Sequence, residues 1–419
     1  MYKVTKCLLS AFICKFCISG AFANGFSLLD QDAFAAARAD AFVATADNPS
    51  AIYYNPAGMA LLVGDNLRSG IYGIDFDSTY KPLDGNTTYH NSYNLTAVPQ
   101  FFYVHSLKKL PLSFGLGVYF PYGGKISWPQ DTGWRLIAIN ASLEYATINP
   151  AIAWKIIPSL SIGAGAMVNY TELKTLQGYP SPLGAFNQNN YFYFKGSGWS
   201  AGYNAGVRWQ PIKQLSFGAT FRSSAEVTLD GHTHFQLPPE QPAASSSANM
   251  DMNFPWTAVA GVSYRPTTNW NLEVDANYTD WSTLGSFDLQ QAHPGQLVTG
   301  NLQGNFDWVP SWTYEFGLTR CFRKGWHVSA GYAYDQNSVP DTYYNPYAAD
   351  LDRHFFSIGV GRCGKRFDFD ITYQFGYGPA RTVTGSQPPL LSERITTASA
   401  DGTYTFISNA IMVSAGMHF

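Results

Sequence analysis

The chain has 419 residues, of which 46% are hydrophobic, 16% aromatic and only 13% charged, roughly half the charge of an average soluble domain. Mean hydropathy is still slightly negative at -0.13, so polar and apolar residues must be finely mixed, as in strands with one apolar and one polar face. The formal net charge of -3 supplies no basic stripe to neutralise phosphates, which excludes nucleic acid as an expected partner.

The first residues have the pattern of an export signal. Lys3 and Lys6 precede a mostly apolar stretch, Cys7 to Phe22, and a small-residue site follows at Ala21-Phe22-Ala23. We therefore predict that residues 1–23 form a signal peptide. An uncleaved anchor is the alternative, but a stretch of about 15 residues interrupted by a lysine is short for a spanning helix, which needs about 20.

Two cysteines would remain after export, Cys321 and Cys363, so no disulfide framework is predicted. Each follows an arginine at the end of a predicted strand, and the two could pair near one rim of the molecule. Against this, strands two apart lie ~10 Å from each other, whereas a disulfide needs Cα atoms within ~7 Å. Both alternatives stay open.

Residues 24–66 do not alternate between apolar and polar. The Ala-rich stretch from Asp30 to Ala46, with Asp30 or Asp32 as a possible cap, predicts a short helix. A second brief turn, Ser50 to Tyr54, ends at Asn55-Pro56-Ala57-Gly58, where proline and glycine break regular structure. The segment is either a loose periplasmic leader or a plug for the lumen of a wide barrel.

From residue 67 onward the chain alternates with a period of two. In Trp270 to Tyr278, apolar residues alternate with Asn271, Glu273, Asp275 and Asn277, and Leu160 to Val168 and Phe367 to Phe375 repeat the pattern. We count about fourteen such strands. No mature segment has eighteen uninterrupted apolar residues, which argues against a helical membrane protein.

A sandwich and a membrane barrel would both alternate in this way, and the connections favour the barrel. Short turns alternate with long polar loops, as membrane barrels require; the short ones are Lys108–Pro111, Ile156–Ser159, Pro211–Gln214, Pro266–Asn269, Phe322–Gly325 and Gly364–Arg366. The chain also ends on an amphipathic strand with Phe419 at its terminus, which looks like a signal for the barrel assembly machinery. We therefore predict an all-β, transmembrane antiparallel barrel over residues 67–419, monomeric and in contact with outer-membrane lipid.

Several short segments occur in order along the mature chain: Asn55-Pro56-Ala57-Gly58, Gly198-Trp199-Ser200-Ala201-Gly202-Tyr203-Asn204-Ala205-Gly206, Phe221-Arg222-Ser223, Tyr278-Thr279-Asp280-Trp281-Ser282 and Asp352-Arg353. With this order and spacing, the chain resembles the outer-membrane long-chain fatty-acid and aromatic-hydrocarbon transporter family. The resemblance implies a fourteen-stranded barrel with an N-terminal hatch inside its lumen. It places residues 24–66 in that hatch, with Asn55-Pro56-Ala57-Gly58 as the hatch motif.

The resemblance also implies a kink in the third strand that opens the wall sideways. The corresponding place follows the predicted strand Leu112 to Phe120, at Pro121-Tyr122-Gly123-Gly124. Proline cannot donate to a ladder and paired glycines weaken a strand, so the local sequence agrees. An ordinary loop start is the alternative.

The expected function is passive uptake of hydrophobic compounds, with long-chain fatty acids favoured. Candidate pocket residues on the hatch are Phe26, Leu28, Ile52 and Tyr53. Fatty-acid transporters of the family use a cation for the carboxylate, and near the end of the fifth strand only Lys174, and no arginine, is available. Hydrocarbon uptake, or a surface receptor without transport, therefore stays open.

Other signals carry no chemistry. The G-x-S-x-G match at Gly198 to Gly202 falls within a predicted strand, whereas a hydrolase elbow needs a strand, a turn and a helix. His232 and His234, placed in an external loop, lack a third ligand at metal-site spacing. We expect no enzyme activity, cofactor or metal, and structural pairing for the inward charges Arg222, Glu273, Asp275, Glu315, Asp368 and Asp370.

Overall fold

A computed structural model describes residues 24–179, 187–237, 241–292, 302–388 and 399–419. The predicted signal peptide, 1–23, lies outside this part of the chain. Within it, no helix is both long and apolar enough to span a membrane.

The described residues form nineteen strands and a few short helices. The strands are β1 Asp65–Lys81, β2 Tyr89–His90, β3 Thr96–Ser106, β4 Leu112–Ser127, β5 Asn140–Ile157, β6 Leu160–Gly178, β7 Tyr191–Ile212, β8 Leu215–Arg222, β9 Ala225–Leu237, β10 Gln241–Phe254, β11 Thr257–Tyr264, β12 Trp270–Thr279, β13 Ser286–Gln291, β14 Leu302–Asn305, β15 Ser311–Cys321, β16 Trp326–Asp335, β17 Arg353–Cys363, β18 Phe367–Val383 and β19 Gly402–His418. The α-helices are α1 Ala33–Ala36 and α2 Ala51–Tyr54, and 3-10 helices cover Pro56–Leu61, Trp281–Thr283, Arg323–Gly325 and Asp341–Tyr343.

The strands close into one antiparallel barrel, because β1 pairs with β3 on one side and with β19 on the other. Five crossings of the wall are split into two segments each: β2 with β3, β8 with β9, β10 with β11, β12 with β13, and β14 with β15. Counting each split crossing once gives a fourteen-stranded barrel, as predicted.

The faces of the strands point as the alternation predicts. On β12, Leu272 and Val274 are exposed, whereas Glu273 and Asp275 are buried inside the barrel. This outward apolar band with a polar interior suits a wall surrounded by lipid. The predicted tight turns lie together at the end of the barrel where β1 starts and β19 finishes.

At that same end the barrel seam is completed by the chain terminus. The backbone N–H of Phe419 donates to the carbonyl of Asp65 at 3.0 Å, and the N–H of Asp65 donates back at 2.9 Å. β1 thus starts at Asp65, two residues before the predicted start of the barrel at residue 67. A role for Phe419 in barrel assembly stays a prediction.

The predicted helix from Asp30 to Ala46 is wrong in length. Only α1 is helical; Asp32 caps it by accepting from the N–H groups of Phe34 and Ala35. Ala39 and Asp40 then take positive φ angles of 49° and 65°, which ends the helix. The chain turns there because acidic side chains of the barrel wall bind the next backbone N–H groups.

Two further expectations are resolved among the described residues. Cys321 and Cys363 are both free and exposed, so the alternative without a disulfide holds. His232 and His234 lie within β9 and not in a loop. The segment from Gly198 to Gly202 lies inside β7, as predicted.

Candidate functional site

Two carboxylates of β12 anchor the segment that precedes β1. Asp275 accepts hydrogen bonds from the N–H groups of Phe42 and Val43 at 2.7 and 2.8 Å. Glu273 accepts from the next two N–H groups along the chain, at 2.7 and 3.1 Å, and pairs with Arg38 at 3.0 Å. Such buried, charge-assisted bonds are strong. The expected structural role of these two inward charges is confirmed.

Arg68 of β1 makes a second anchor. Its guanidinium pairs with Asp32 at the start of α1, with Asp370 at 2.7 Å and with Asp368 at 2.9 Å. The expected pairing of Asp368 and Asp370 is therefore also confirmed. Together with the β12 carboxylates, this network ties residues 32–45 to the inner wall.

The motif Asn55 to Gly58 continues the contact between this segment and the wall. The Asn55 amide donates to the carbonyls of Val43, at 2.8 Å, and of Val207 on β7, at 3.0 Å. A side chain at Gly58 would meet the carbonyl oxygen of Ala46 at 2.1 Å, so only glycine allows this close packing.

The residues Pro121 to Gly124 lie inside β4 and do not start a loop. The pairing of β4 with β5 shifts register between Tyr119 and Tyr122, which marks a bulge. On its other side β4 pairs with β3 only from Ser113 to Val118. The upper part of β3 pairs with β1 but not with β4, so in the described chain the β3–β4 ladder stops beside the bulge.

The N-terminal segment supplies hydrogen-bond partners for the bulged part of β4. Leu28 N–H donates to the carbonyl of Pro121 at 2.8 Å, and Gly123 N–H donates to the carbonyl of Phe26 at 3.0 Å. The Gln31 side-chain amide donates to the Phe120 carbonyl at 2.9 Å. Residues 26–31 therefore lie behind the gap in the wall and satisfy backbone groups that β3 leaves unpaired.

An apolar cavity of about 150 Å³ lies in the half of the lumen that is nearer to the long loops. Apolar residues of the strands and loops dominate its lining; they include Leu143, Leu173, Phe192, Phe194, Met250, Met252, Phe287, Phe306, Trp308 and Tyr347. Neither lysine nor arginine is among its described lining residues, and the carboxylate of the lining residue Asp251 accepts from Thr228 on the exposed face of the wall. We call this space the outer cavity; it suits an apolar ligand.

Phe26 forms the floor of the outer cavity. Its ring lies 4.6 Å from that of Trp281 and 5.4 Å from that of Trp308, and it also contacts Tyr122 of β4 at 6.1 Å. The preceding Gly25 has φ of +64°, and a Cβ there would come within 2.6 Å of both tryptophan rings. The floor of the outer cavity is therefore closely packed.

A smaller cavity of about 40 Å³ lies beyond Phe26 and is lined by Pro121, Tyr122, Tyr53 and Arg222. Its lining also includes the acidic residues Asp40, Asp275 and Glu315. The Arg222 guanidinium lies 4.3 Å from the centre of the Tyr53 ring and donates to the Tyr53 carbonyl at 3.1 Å. Burial raises the pKa of Tyr53, and Arg222 opposes that shift. We call this space the inner cavity.

Arg222 differs from the other inward cations named above. Arg38 and Arg68 both pair with carboxylates, whereas Arg222 has no ion pair among the described residues and its Nε has no hydrogen-bond partner. We expected structural pairing for Arg222, so the sequence did not lead us to it as a ligand candidate. The segment Phe221-Arg222-Ser223 was the available signal.

The structure separates the predicted pocket residues. Phe26 lines the outer cavity and Tyr53 the inner one, while Leu28 lines a third cavity of about 50 Å³ that also includes Arg353. Ile52 lines none of these cavities and packs beneath Gly115 of β4.

Lys174 is also outside these cavities. Leu173 and Thr175 line the outer cavity, and since side chains alternate along a strand, Lys174 between them points to the other face of β6. There it pairs with Glu172 at 2.5 Å.

A closed fourteen-stranded barrel with an apolar cavity above an internal N-terminal segment defines an outer-membrane channel protein. The model of the family described as "Outer membrane protein transport protein (OMPP1/FadL/TodX)" matches residues 15–415. The chain belongs to this family.

Individual relatives agree. The chain is 22% identical to the long-chain fatty acid transport protein of Escherichia coli O6:H1, over 76% of this chain and 78% of that protein. It is 20% identical to the Salmonella typhi protein of the same name, over 80% and 83%. Among solved structures, a Pseudomonas aeruginosa FadL homologue has a TM-score of 0.81 at 19% identity, over 94% of this chain and 100% of that one.

The toluene transporter TbuX of Ralstonia pickettii has a TM-score of 0.68 at 14% identity, over 94% of this chain and 100% of that one. The family consists of outer-membrane transporters of hydrophobic compounds and not of enzymes. This chain is therefore an outer-membrane transport protein for hydrophobic compounds, as the sequence predicted.

Proposed function

We propose that this protein takes up long-chain fatty acids passively and releases them sideways into the membrane. The observation that carries the proposal is the end of the β3–β4 ladder at Val118, with residues 26–31 lying behind the gap. An apolar chain that enters the outer cavity gains by leaving into hydrocarbon at the gap. No energy source is needed for this downhill path.

We also propose that residues 24–64 act as a plug. The contacts of Glu273, Asp275 and Arg68 with this segment support the idea, since they hold it inside the barrel by charged hydrogen bonds. The segment blocks polar solutes while Phe26 admits an apolar ligand. A barrel of this strand number otherwise has an open lumen.

Arg222 favours a fatty acid over a neutral hydrocarbon. Arg222 is half-buried and forms no ion pair among the described residues, although Asp40, Asp275 and Glu315 also line the inner cavity. A bound carboxylate would give its guanidinium a direct partner. Arg222 lies in the inner cavity beside Pro121 and Tyr122, where a headgroup would arrive after the alkyl chain has passed Phe26. The curated relatives in Escherichia coli and Salmonella typhi are named as long-chain fatty acid transport proteins, which agrees with this assignment.

The substrate class is tested by uptake of oleate and of toluene in cells that depend on this protein. We expect Arg222→Gln to reduce oleate uptake about tenfold, the value of one charge-assisted hydrogen bond, with toluene uptake unchanged. Lys174→Gln is the matched control, since Lys174 points away from the cavities, and it should leave both rates unchanged. Equal losses of oleate and toluene uptake in Arg222→Gln would contradict carboxylate binding.

The sideways exit is tested by closing the gap with a disulfide. The background is a variant in which Cys321 and Cys363 are replaced by serine. In it, Pro99→Cys together with Phe120→Cys would join β3 to β4 just beyond Val118, where their pairing ends. Oxidation should stop oleate uptake, and reduction should restore it.

The control cross-link uses Tyr103→Cys with Leu116→Cys, which face each other where β3 and β4 already pair. Oxidation of this pair should leave uptake unchanged. Uptake that continues through a fully oxidised gap would mean that the ligand leaves by another route.

A further inference from the structure

Six cations cluster on two neighbouring turns at the end of the barrel that holds the short turns. They are exposed, and within the described residues none of them forms an ion pair; they are Arg320, Arg323, Lys324, Arg362, Lys365 and Arg366. We call this group the basic rim. Such a concentration of unpaired positive charge creates a local positive potential.

The two turns form one continuous surface. Trp326, at the start of β16, pairs directly with Arg362, at the end of β17. The Arg362 Nε donates to the carbonyl of Lys324 at 3.3 Å. The cations of both turns can therefore act on the same ligand.

Arg320 and Arg362 belong to the outer, lipid-facing side of the wall. On β15 the exposed residues Phe316 and Leu318 precede Arg320 at alternate positions. On β17 the exposed Val360 precedes Arg362 in the same way. The two arginines thus end rows of side chains that face hydrocarbon, and they do not point into the lumen.

Aromatic rings fix the depth of these arginines. The Arg320 guanidinium lies 5.0 Å from the centre of the Trp270 ring, and that of Arg362 lies 5.8 Å from the centre of the Trp326 ring. Tryptophan on a membrane protein's lipid face marks the headgroup level. The guanidinium groups are therefore held where lipid phosphates lie, with their charge retained beside an apolar ring.

We propose that the basic rim binds the phosphate of anionic phospholipids in the periplasmic leaflet. The principal contacts are Arg320, opposite Val328 of β16, and Arg362, opposite Trp326 of the same strand. Guanidinium forks bind phosphate through two hydrogen bonds. The short turns of outer-membrane barrels face the periplasm, so the lipid comes from the inner leaflet. This proposal rests on the location and orientation of the barrel and is independent of the substrate.

The geometry favours lipid over an acidic periplasmic protein. A protein arriving from the periplasm would meet Arg323, Lys324 and Lys365 at the tips of the turns. It would be kept from the side wall, where Arg320 and Arg362 lie, by the membrane itself. Lipid headgroups surround that side wall at all times.

Native mass spectrometry of the purified full chain tests the proposal. The protein is titrated with phosphatidylglycerol and with phosphatidylcholine of identical acyl chains. We expect wild type to bind phosphatidylglycerol about tenfold more tightly, and Arg320→Gln with Arg362→Gln to lose that preference. Displacement of the lipid by millimolar inorganic phosphate would overturn the proposal of a lipid site, because the basic rim would then bind free phosphate.

Lys108→Gln with Lys109→Gln is the matched control. These lysines are exposed on the β3–β4 turn at the same end of the barrel. The variant therefore removes two positive charges that do not belong to the basic rim. It should keep the tenfold preference. Equal loss in both double variants would overturn the proposal in favour of a general charge effect.

A third variant tests whether the preference for phosphatidylglycerol depends on the cations at the turn tips. Arg323→Gln with Lys324→Gln removes tip cations but leaves the side wall intact, and most of the preference should remain. Complete loss in this variant would overturn the assignment of Arg320 and Arg362. Heat-modifiable migration on gels verifies that each variant has a folded barrel before lipid is added.

Discussion

The N-terminal segment has two parts that are held in different ways. The anchored part, residues 30–61, is bound to the wall by charged groups such as Glu273, Asp275 and Arg68. The leading part, residues 24–29, is held by uncharged contacts: two backbone hydrogen bonds to β4, the packing of Phe26, and side-chain hydrogen bonds of Asn24 with Thr313, Ser311 and Trp281. Because neutral bonds and packing are easier to exchange than buried charge pairs, the leading part can move while the anchored part stays.

This difference assigns separate tasks to the two parts. In the proposed function, the anchored part keeps polar solutes out, and the leading part opens the way past Phe26 towards the gap beside Val118. A ligand therefore has to displace only a few residues.

The largest effect is expected from Glu273→Ala in the anchored part. The substitution leaves Arg38 buried without its partner and removes the acceptor of two backbone N–H groups. Loss of one partner of a buried pair costs about 3–5 kcal/mol. The plug should loosen, and entry of small polar antibiotics should rise strongly, together with proteolysis of residues 24–64.

Glu172→Ala is the control for this experiment. Glu172 lies on β6 and pairs with Lys174 and Lys195, away from the plug. It should leave antibiotic entry unchanged. If Glu273→Ala behaves like Glu172→Ala, the charged contacts do not anchor the plug.

A smaller and more selective effect is expected from Gly25→Ala in the leading part. The new Cβ would come within 2.6 Å of the rings of Trp281 and Trp308 at a φ of +64°, so the floor of the outer cavity must shift. Strain of ~1 kcal/mol changes the population of the open floor by about fivefold. Oleate uptake should rise by that factor while antibiotic entry stays low.

Gly385→Ala provides a strain-matched control, since Gly385 has a φ of +71° and nothing within 4 Å of its Cβ position. It should change neither rate. A rise in antibiotic entry with Gly25→Ala as large as that with Glu273→Ala would show that the two parts move as one.

The barrel could be predicted from the sequence because the alternation of apolar and polar side chains along each strand is a local pattern. On β12, each residue faces either lipid or lumen, so Leu272 and Glu273 reveal their positions by alternation alone. The same rule could have placed Lys174 on the outer face, since it lies between Leu173 and Thr175. We predicted Lys174 as a pocket residue because of its charge and did not apply the alternation of side chains to it.

The inner site could not be predicted in the same way. Helix α1 ends early because Asp275 and Glu273 bind residues 42–45, and these partners are more than two hundred residues apart in sequence. Likewise Arg222 and Arg38 look alike as inward cations. In the folded chain Arg38 pairs with Glu273, whereas Arg222 has no carboxylate partner in the part of the chain that the structure describes.

The smallest effect concerns pH and the anchored part. Tyr54 donates to the carboxyl of Asp40 at 2.6 Å. Burial raises the pKa of Asp40 well above its usual range, and the nearby charge of Asp30 raises it further. Burial likewise raises the pKa of Asp30. The docked plug therefore holds a proton that a free plug would release above about pH 4.

The sign of the pH effect follows from this proton. A raised pKa in the docked state means that docking binds a proton, so docking is most stable below about pH 4 and weakens as pH rises. Proteolysis of residues 24–64, relative to the unfolded chain at the same pH, should be a few-fold faster at pH 8 than at pH 5. Asp40→Asn keeps the size of the side chain without the titration and should flatten this dependence. Equal relative rates at both pH values in wild type would show that Asp40 is charged in the docked plug.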